Sequence, residues 1–566
     1  MRRIKKTIIA IFVFVLVFTL SSCTYINTLI DIATKNKMPN TEIKVNYYVD
    51  DNLYLSETTE KRKNFEYPES PTMDGYNFGG WTYKDSYQTL APEDFLYDAA
   101  QEIDLYAYFS KGYHFSDNIK YNGPEIVKAV MPSFGSPNIL VVPLTLGGNH
   151  TKSMIEEIKT AFTGTSEETG YESVNSFYYK SSRGRLNIQF DFIEDWFTPA
   201  YKKSYYEKYD STKDRYSDYG TGLIYNEFLK AYDEVIDFSK YDNDGDGFID
   251  GVWFIYDVMP DYFKEERTWW AYVTSTYNTS RKYDGCYPRN YANASYYFMH
   301  EYETEKKYGI KLEKYDMSDI KIDSHTYIHE TGHLLGLDDY YDSDTSKGGI
   351  GGLYGAGMMD ANCGDLNTVD KLLLGFIDPY VITPAEGSTQ TIEIGSFQET
   401  GDVVLIAKKT PKSIYSEYFL VELYTITGLN EHDVPITRPM TLIPFNLTYG
   451  IRILHVNASL TKEYNGKTYS FPVDFTYNNS TTKALFVDTL INYRSGINRD
   501  METNTEYLDT RALFYEVGTE YNLKNSTFKM TNGSNLFFNF TIDSISNEKA
   551  KLTFALEGGI LWELKN

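Results

Sequence analysis

The chain has 566 residues, 42% of them hydrophobic, enough for several packed cores. Its formal net charge is -25, from 79 acidic and 54 basic residues. That balance argues against nucleic acid as a partner, because phosphate binding needs clustered lysine and arginine. It is compatible with bound cations and with solubility after export. The 53 tyrosines favour strands, so much of the chain is expected to be β structure.

Residues 1–22 read as an export signal. Arg2, Arg3, Lys5 and Lys6 precede an apolar run from Ile8 to Leu20, too short to span a bilayer as a helix. Leu20-Ser21-Ser22-Cys23 resembles a bacterial lipobox. This implies that Cys23 is lipidated as the first mature residue, which places the protein on the outer side of the cell membrane. Residues 23–40 read as a tether. The other cysteines, Cys286 and Cys363, can pair outside the cell or stay free; spacing does not decide between these.

Residues 41–112 form a small unit. It opens on the strand-like Ile43-Lys44-Val45-Asn46-Tyr47-Tyr48, turns at Pro68 and Pro71, and closes on Asp104 to Phe109. About 70 residues can just fold alone. The order of these pieces resembles the β-grasp-like repeat of Listeria and Bacteroides surface proteins. This implies a spacer, or an adhesive module for a host or surface glycan or protein. A linker, 113–135, follows.

From 136 to 380, helical and strand patterns interleave, as in an α/β or α+β domain. Asn138–Leu144 and Gly251–Tyr256 are continuous apolar runs, expected as buried strands, and Leu186, Ile188, Phe190 and Phe192 alternate like a half-buried one. Met154, Ile155, Ile158, Ala161 and Phe162 share a helical face, as do Leu223, Tyr225, Phe228, Tyr232 and Val235. Residues 381–566 carry short alternating segments between turns, expected as one β-sandwich or two small ones.

Two places carry chemistry. Asp323 or Ser324 can cap a helix that Gly336 ends. Within it His329 and His333 share a face, and Glu330 lies beside them. This His-Glu-x-x-His spacing lets two imidazoles hold one metal while the glutamate addresses a water. Zinc is the default ion for such ligands. His325 is eight residues from His333, about 12 Å along the helix, too far to share the ion. Gly336 can turn the chain back so that Asp339 presents a carboxylate, with Asp338 and Asp342 as rivals. The second place is the loop Asp242-Asn243-Asp244-Gly245-Asp246-Gly247-Phe248-Ile249-Asp250. It has four carboxylates and a turn glycine but lacks the glutamate that completes an EF-hand. Calcium held by Asp242, Asp244, Asp246 and Asp250 in a structural role is expected.

The string from His329 to Asp339, continuing as Tyr340-Tyr341-Asp342, resembles the immune inhibitor A family of secreted bacterial metallopeptidases. Ser173–Leu186, Asp237–Asp250, Gly352–Phe376 and Gly450–Val456 are similar to further family segments, so the resemblance covers about 136–460. It departs from the family at Asp338, where proline is common. It implies a central zincin-like metallopeptidase domain, so the chain is expected to be multidomain: an N-terminal β-grasp-like module, that central domain and a C-terminal all-β sandwich. The implied activity is endopeptidase action on extracellular proteins, with His329, His333 and Asp339 on zinc and Glu330 as general base. Met359, at the methionine turn, would form a floor beneath the metal without ligating it. His455 is expected to be structural, and Trp269-Trp270 to line a cleft or to pack the core. The competing expectation is an adhesive lipoprotein that keeps the fold without catalysis.

Overall fold

The computed structural model describes residues 42–49, 51–60, 77–82, 102–110, 131–208, 220–260, 268–276, 280–300, 321–341, 356–360, 363–382, 389–408, 416–433, 449–457, 485–491 and 513–556, with a few short strands, short stretches and single residues between them. The expected signal, Cys23 and the tether lie outside the described residues, as do Asp342 and most of the linker. Among the described residues no helix is long and apolar enough to cross a membrane. The molecule is mixed α/β, with several sheets and few helices.

The N-terminal unit is one sheet of β1 (Glu42–Val49), β2 (Asn52–Glu60), β3 (Asn77–Thr82) and β4 (Glu102–Ser110), in the order β2-β1-β4-β3. Its first and last strands lie parallel in the centre. Ile43, Val45, Tyr47, Trp81, Ile103 and Leu105 form its own small core.

The central sheet has the order β6-β5-β7-β9-β8, from β5 (Asn138–Leu144), β6 (Gln189–Phe192), β7 (Val252–Tyr256), β8 (Tyr272–Ser275) and β9 (Asn290–Ser295). All run parallel except β8, which pairs antiparallel with β9 at the edge. Helices cover both faces, which explains the unbroken apolar runs of β5 and β7. Ile139, Val141, Trp253 and Ile255 face a core shared with α1 (Lys152–Thr163) and α2 (Val174–Ser181). Leu140, Val142, Phe254 and Tyr256 face α3 (Thr221–Tyr232). The helix expected through Val235 ends earlier: α3 stops at Tyr232, the chain turns, and Val235 is exposed.

Beyond the helix α4 (His325–Leu334) and α5 (Thr368–Leu373), the chain forms two facing sheets. The inner one, β10-β12-β13-β14-β17, uses β10 (Tyr380–Ile382), β12 (Val404–Ile406), β13 (Glu417–Thr425), β14 (Tyr449–Asn457) and β17 (Val487–Thr489). The outer one, β11-β22-β21-β20, uses β11 (Thr389–Gly395), β20 (Glu520–Tyr521), β21 (Phe538–Ile545) and β22 (Lys549–Leu556). The hairpins β15 (Thr461–Tyr464) with β16 (Lys467–Ser470), and β18 (Ile497–Arg499) with β19 (Glu506–Leu508), complete the strands.

Alternation decides which core each inner-sheet residue joins. Val404, Ile406, Phe419, Val421, Ile451 and Ile453 meet the outer sheet. Leu405, Tyr418, Leu420, Leu454 and Val456 point the other way, into the core under α1, α2 and α4. The inner sheet therefore belongs to two cores. The boundary expected between 380 and 381 falls inside β10, because the central and C-terminal parts share this layer.

Candidate metal centre

Helix α4 lies along the central sheet and is pinned by the residues at one face. Tyr327 Oη donates to Ser295 O at 2.6 Å, Trp253 Nε1 donates to Thr331 Oγ1 at 3.3 Å, and Met131 N donates to Leu334 O at 3.1 Å. At its start Asp323 Oδ1 accepts from His325 N at 3.0 Å, while Ser324 makes no capping bond and its hydroxyl donates to Glu172 O. At its end Gly336 has φ +94°, which a side chain adopts only with strain. Gly336 N then donates to His333 O and Leu337 N to Gly332 O, each at 3.0 Å, the reciprocal pair of a Schellman turn. The turn folds residues 337–341 back along the helix.

This folding brings Asp339 onto the face that carries His329 and His333. Asp339 Oδ1 is 3.0 Å from His329 Nε2 and 3.2 Å from His333 Nε2. Ligand atoms of all three residues lie within 4.8 Å of one another. Two donors on a tetrahedral zinc, each about 2.05 Å from it, stand about 3.3 Å apart. The observed separations fit that to within a few tenths of an ångström. The other ring nitrogens are committed: His329 Nδ1 meets Met358 O at 2.9 Å and His333 Nδ1 meets Leu337 O at 2.8 Å. A carbonyl only accepts, so each Nδ1 carries a proton, and Nε2 is the nitrogen left to face a metal once its own proton is shed. Asp338 is exposed and outside the group.

The electrostatics are those of a site built for positive charge. Burial alone would lower His333, but the hydrogen bond and charge of Asp339 raise it to about 10. His329 is raised in the same way against its burial. Burial would raise Asp339, yet the two imidazoles hold it well below the usual carboxylate range. Glu330 is buried, and its Oε2 has no hydrogen-bond partner. Burial pushes its carboxyl up, which the histidines only partly oppose.

Met359 is fully buried under the helix. A Cβ built at Gly332 would lie 2.5 Å from its Sδ and 3.1 Å from Tyr178 Oη, so glycine is required within the helix at that point. Two aromatic residues stand beside the cluster, each within a segment that carries the family resemblance. The Tyr341 ring lies 6.2 Å from that of His329, and burial with the charge of Asp339 pushes its hydroxyl up. Tyr178 Oη donates to Ile328 O at 2.7 Å.

The acidic loop leads into β7. Asp242, Asp244 and Asp246 place carboxylate oxygens within 4.8 Å of one another. Gly245 and Gly247, at φ +68° and +88°, make the turn. Asn243 ties the loop to β5, with Oδ1 accepting from Asn138 N at 2.7 Å and Nδ2 donating to Asn138 O at 3.0 Å. Asp250 is outside the group of three. Its Oδ2 accepts from Asn243 N at 2.7 Å, while its buried Oδ1 has no hydrogen-bond partner. Burial first, then its three acidic neighbours, raise its carboxyl far above the normal range.

The remaining candidates have structural places. His455 Nε2 is 3.0 Å from Glu417 Oε1, and its ring stacks on Phe419 at 4.4 Å. Trp269 is fully buried and donates to Glu207, and Trp270 packs against the main core. Cys286 and Cys363 form no disulfide and lie buried in two different cores. Comparison of the chain with models of known protein families and with curated proteins finds no match.

Proposed function

We propose that the protein is a zinc-dependent endopeptidase that acts on extracellular proteins and is tethered to the membrane through Cys23. The observation that carries this reading is the meeting of His329, His333 and Asp339 around one point, beside a buried glutamate with an unpartnered oxygen. When bound there, zinc supplies Lewis acidity toward a scissile carbonyl. His329 and His333 hold the ion through Nε2, fixed by their Nδ1–H bonds, and Asp339 supplies the third donor. Glu330 takes the proton of the attacking water and passes it to the leaving amine; burial raises its carboxyl toward the range this needs. Met359 and Tyr178 support the helix at Gly332.

In this reading the centre belongs to a zincin-like domain of the immune inhibitor A type. The N-terminal sheet is a β-grasp-like spacer or adhesive module, and β2 offers the exposed side chains Leu53, Tyr54 and Leu55 to a surface ligand. Calcium binds Asp242, Asp244 and Asp246, with Asp250 behind them. The test is cleavage of an unstructured protein substrate by wild type and by Glu330→Ala, with metal content measured. Asp339→Ala should lose zinc and Asp338→Ala should keep it. Equal cleavage by wild type and Glu330→Ala, or no zinc in wild type, would sink the peptidase reading and leave the adhesive one.

A further inference from the structure

The three ligand residues are held from outside by one frame. Tyr340 follows Asp339 directly and is buried. Its backbone N donates to Met359 O at 2.8 Å, next to the Met358 carbonyl that orients His329. Its hydroxyl donates to Asp370 Oδ1 at 2.7 Å. Asp370 is fully buried in the first turn of α5, and its other oxygen accepts from Asn367 Nδ2 at 2.6 Å. Asn367 Oδ1 in turn caps α5, accepting from Val369 N at 2.8 Å and Asp370 N at 3.1 Å. The circuit closes where Met358 N donates to Asp365 O at 3.3 Å.

We propose that Asp370 is a positioning residue for the metal centre, setting the place of the Asp339 carboxylate through Tyr340. The reason is mechanical. Asp339 follows a glycine turn in the segment 337–341, which is neither helix nor strand and is tied to α4 through Leu337. Its neighbour on the C-terminal side is fixed by two hydrogen bonds, one to the Met358–Met359 segment and one to α5. A carboxylate at 370 is the group that can accept from Tyr340 and Asn367 together, with one oxygen for each. Ligand-orienting partners of this kind typically change metal affinity about 10- to 100-fold when removed.

This inference rests on the triad binding metal, and one titration separates the two. The purified full chain is stripped of metal and titrated with zinc against a chromophoric chelator. Wild type, Asp339→Ala, Tyr340→Phe, Asp370→Ala, Asp370→Asn and the double variant Tyr340→Phe/Asp370→Ala are compared. Tyr340→Phe and Asp370→Ala should each raise the zinc Kd about 10- to 100-fold. The double variant should be no worse than either, because both break one chain of contacts. Asp370→Asn should stay within about threefold of wild type, since its amide can donate to Tyr340 Oη while its oxygen accepts from Asn367. A role in packing alone would lower the metal-free melting temperature and leave the zinc Kd of the folded protein unchanged; that outcome overturns the proposal. Should Asp370→Ala fail to fold, Tyr340→Phe decides, and an unchanged Kd there overturns it. Wild type that binds no zinc would sink the underlying reading as well. Zinc lost in Asp339→Ala but kept in Tyr340→Phe would sink only this inference.

Discussion

Glu330 is a buried acid and Asp488 a half-buried one, each with a buried oxygen that has no hydrogen-bond partner, and their surroundings give them different consequences. Burial raises the Glu330 carboxyl, and the charges of His333 and His329 partly oppose that; in the proposed peptidase it is the base. Glu330→Gln keeps the shape and removes the base. It should retain zinc and lose about 10²- to 10⁴-fold in kcat, measured on a quenched peptide. Asp488, on β17 opposite His455, has a buried Oδ1 with no partner, and burial pushes its carboxyl up to about 7. A folded-state value above the unfolded one means that the folded chain binds the proton more tightly. Stability is therefore fully present below about pH 4 and falls as pH rises through about 7. Asp488→Asn should remove that fall and stabilise the protein at pH 8 by about 1–3 kcal/mol, read from denaturant melts at pH 5 and pH 8.

Helix α4 shows what an element contributes beyond its residues. The four-residue spacing of His329 and His333 guarantees a shared face, but the third donor comes from chain outside the helix. The link between them is the turn at Gly336. Gly336→Ala should cost about 1–2 kcal/mol from the left-handed backbone alone. It should also weaken zinc binding more than an alanine at Asp338 does, because it disturbs the path to Asp339. Equal zinc Kd values for the two variants would show that the turn does not set the ligand.

At the scale of the molecule, the inner sheet β10-β12-β13-β14-β17 completes the core beneath α4. Calorimetry of the full chain should show the central and C-terminal parts melting together, with the N-terminal sheet, which has its own core, free to melt apart. A chain ending at 382 should not unfold cooperatively, because Leu405, Tyr418, Leu420, Leu454 and Val456 would be gone from the shared core. The acidic loop belongs to this scale too, since it joins β7 to β5 through Asn243. Calcium at about 100 times its Kd should stabilise the protein by about 2.7 kcal/mol, and a chelator should reverse the gain. Magnesium at the same concentration should give less, as it sheds its water reluctantly.

Much of this protein was legible in the sequence because short-range spacing is fixed by backbone geometry. Unbroken apolar runs marked the buried strands β5 and β7, and the four-residue spacing marked a helix with two histidines on one face. Gly336 announced a reversal because a positive φ is cheap only for glycine. What lay beyond the spacing needed tertiary structure. Asp339 and its rival Asp338 differ by one residue, and only the packed course of 337–341 turns one toward the histidines and the other toward solvent. Asp250 belongs to the loop by count, yet it is drawn aside to Asn243 by a hydrogen bond that spacing does not reveal. Tyr340 and Asp370 are 30 residues apart and meet because α5 packs against the chain below the helix. Sequence by itself determined which residue types stood ready for metal chemistry and at what helical angle. The tertiary structure decided which carboxylate reaches the point between the two imidazoles, because proximity across the chain is set by packing of the shared core rather than by order along it.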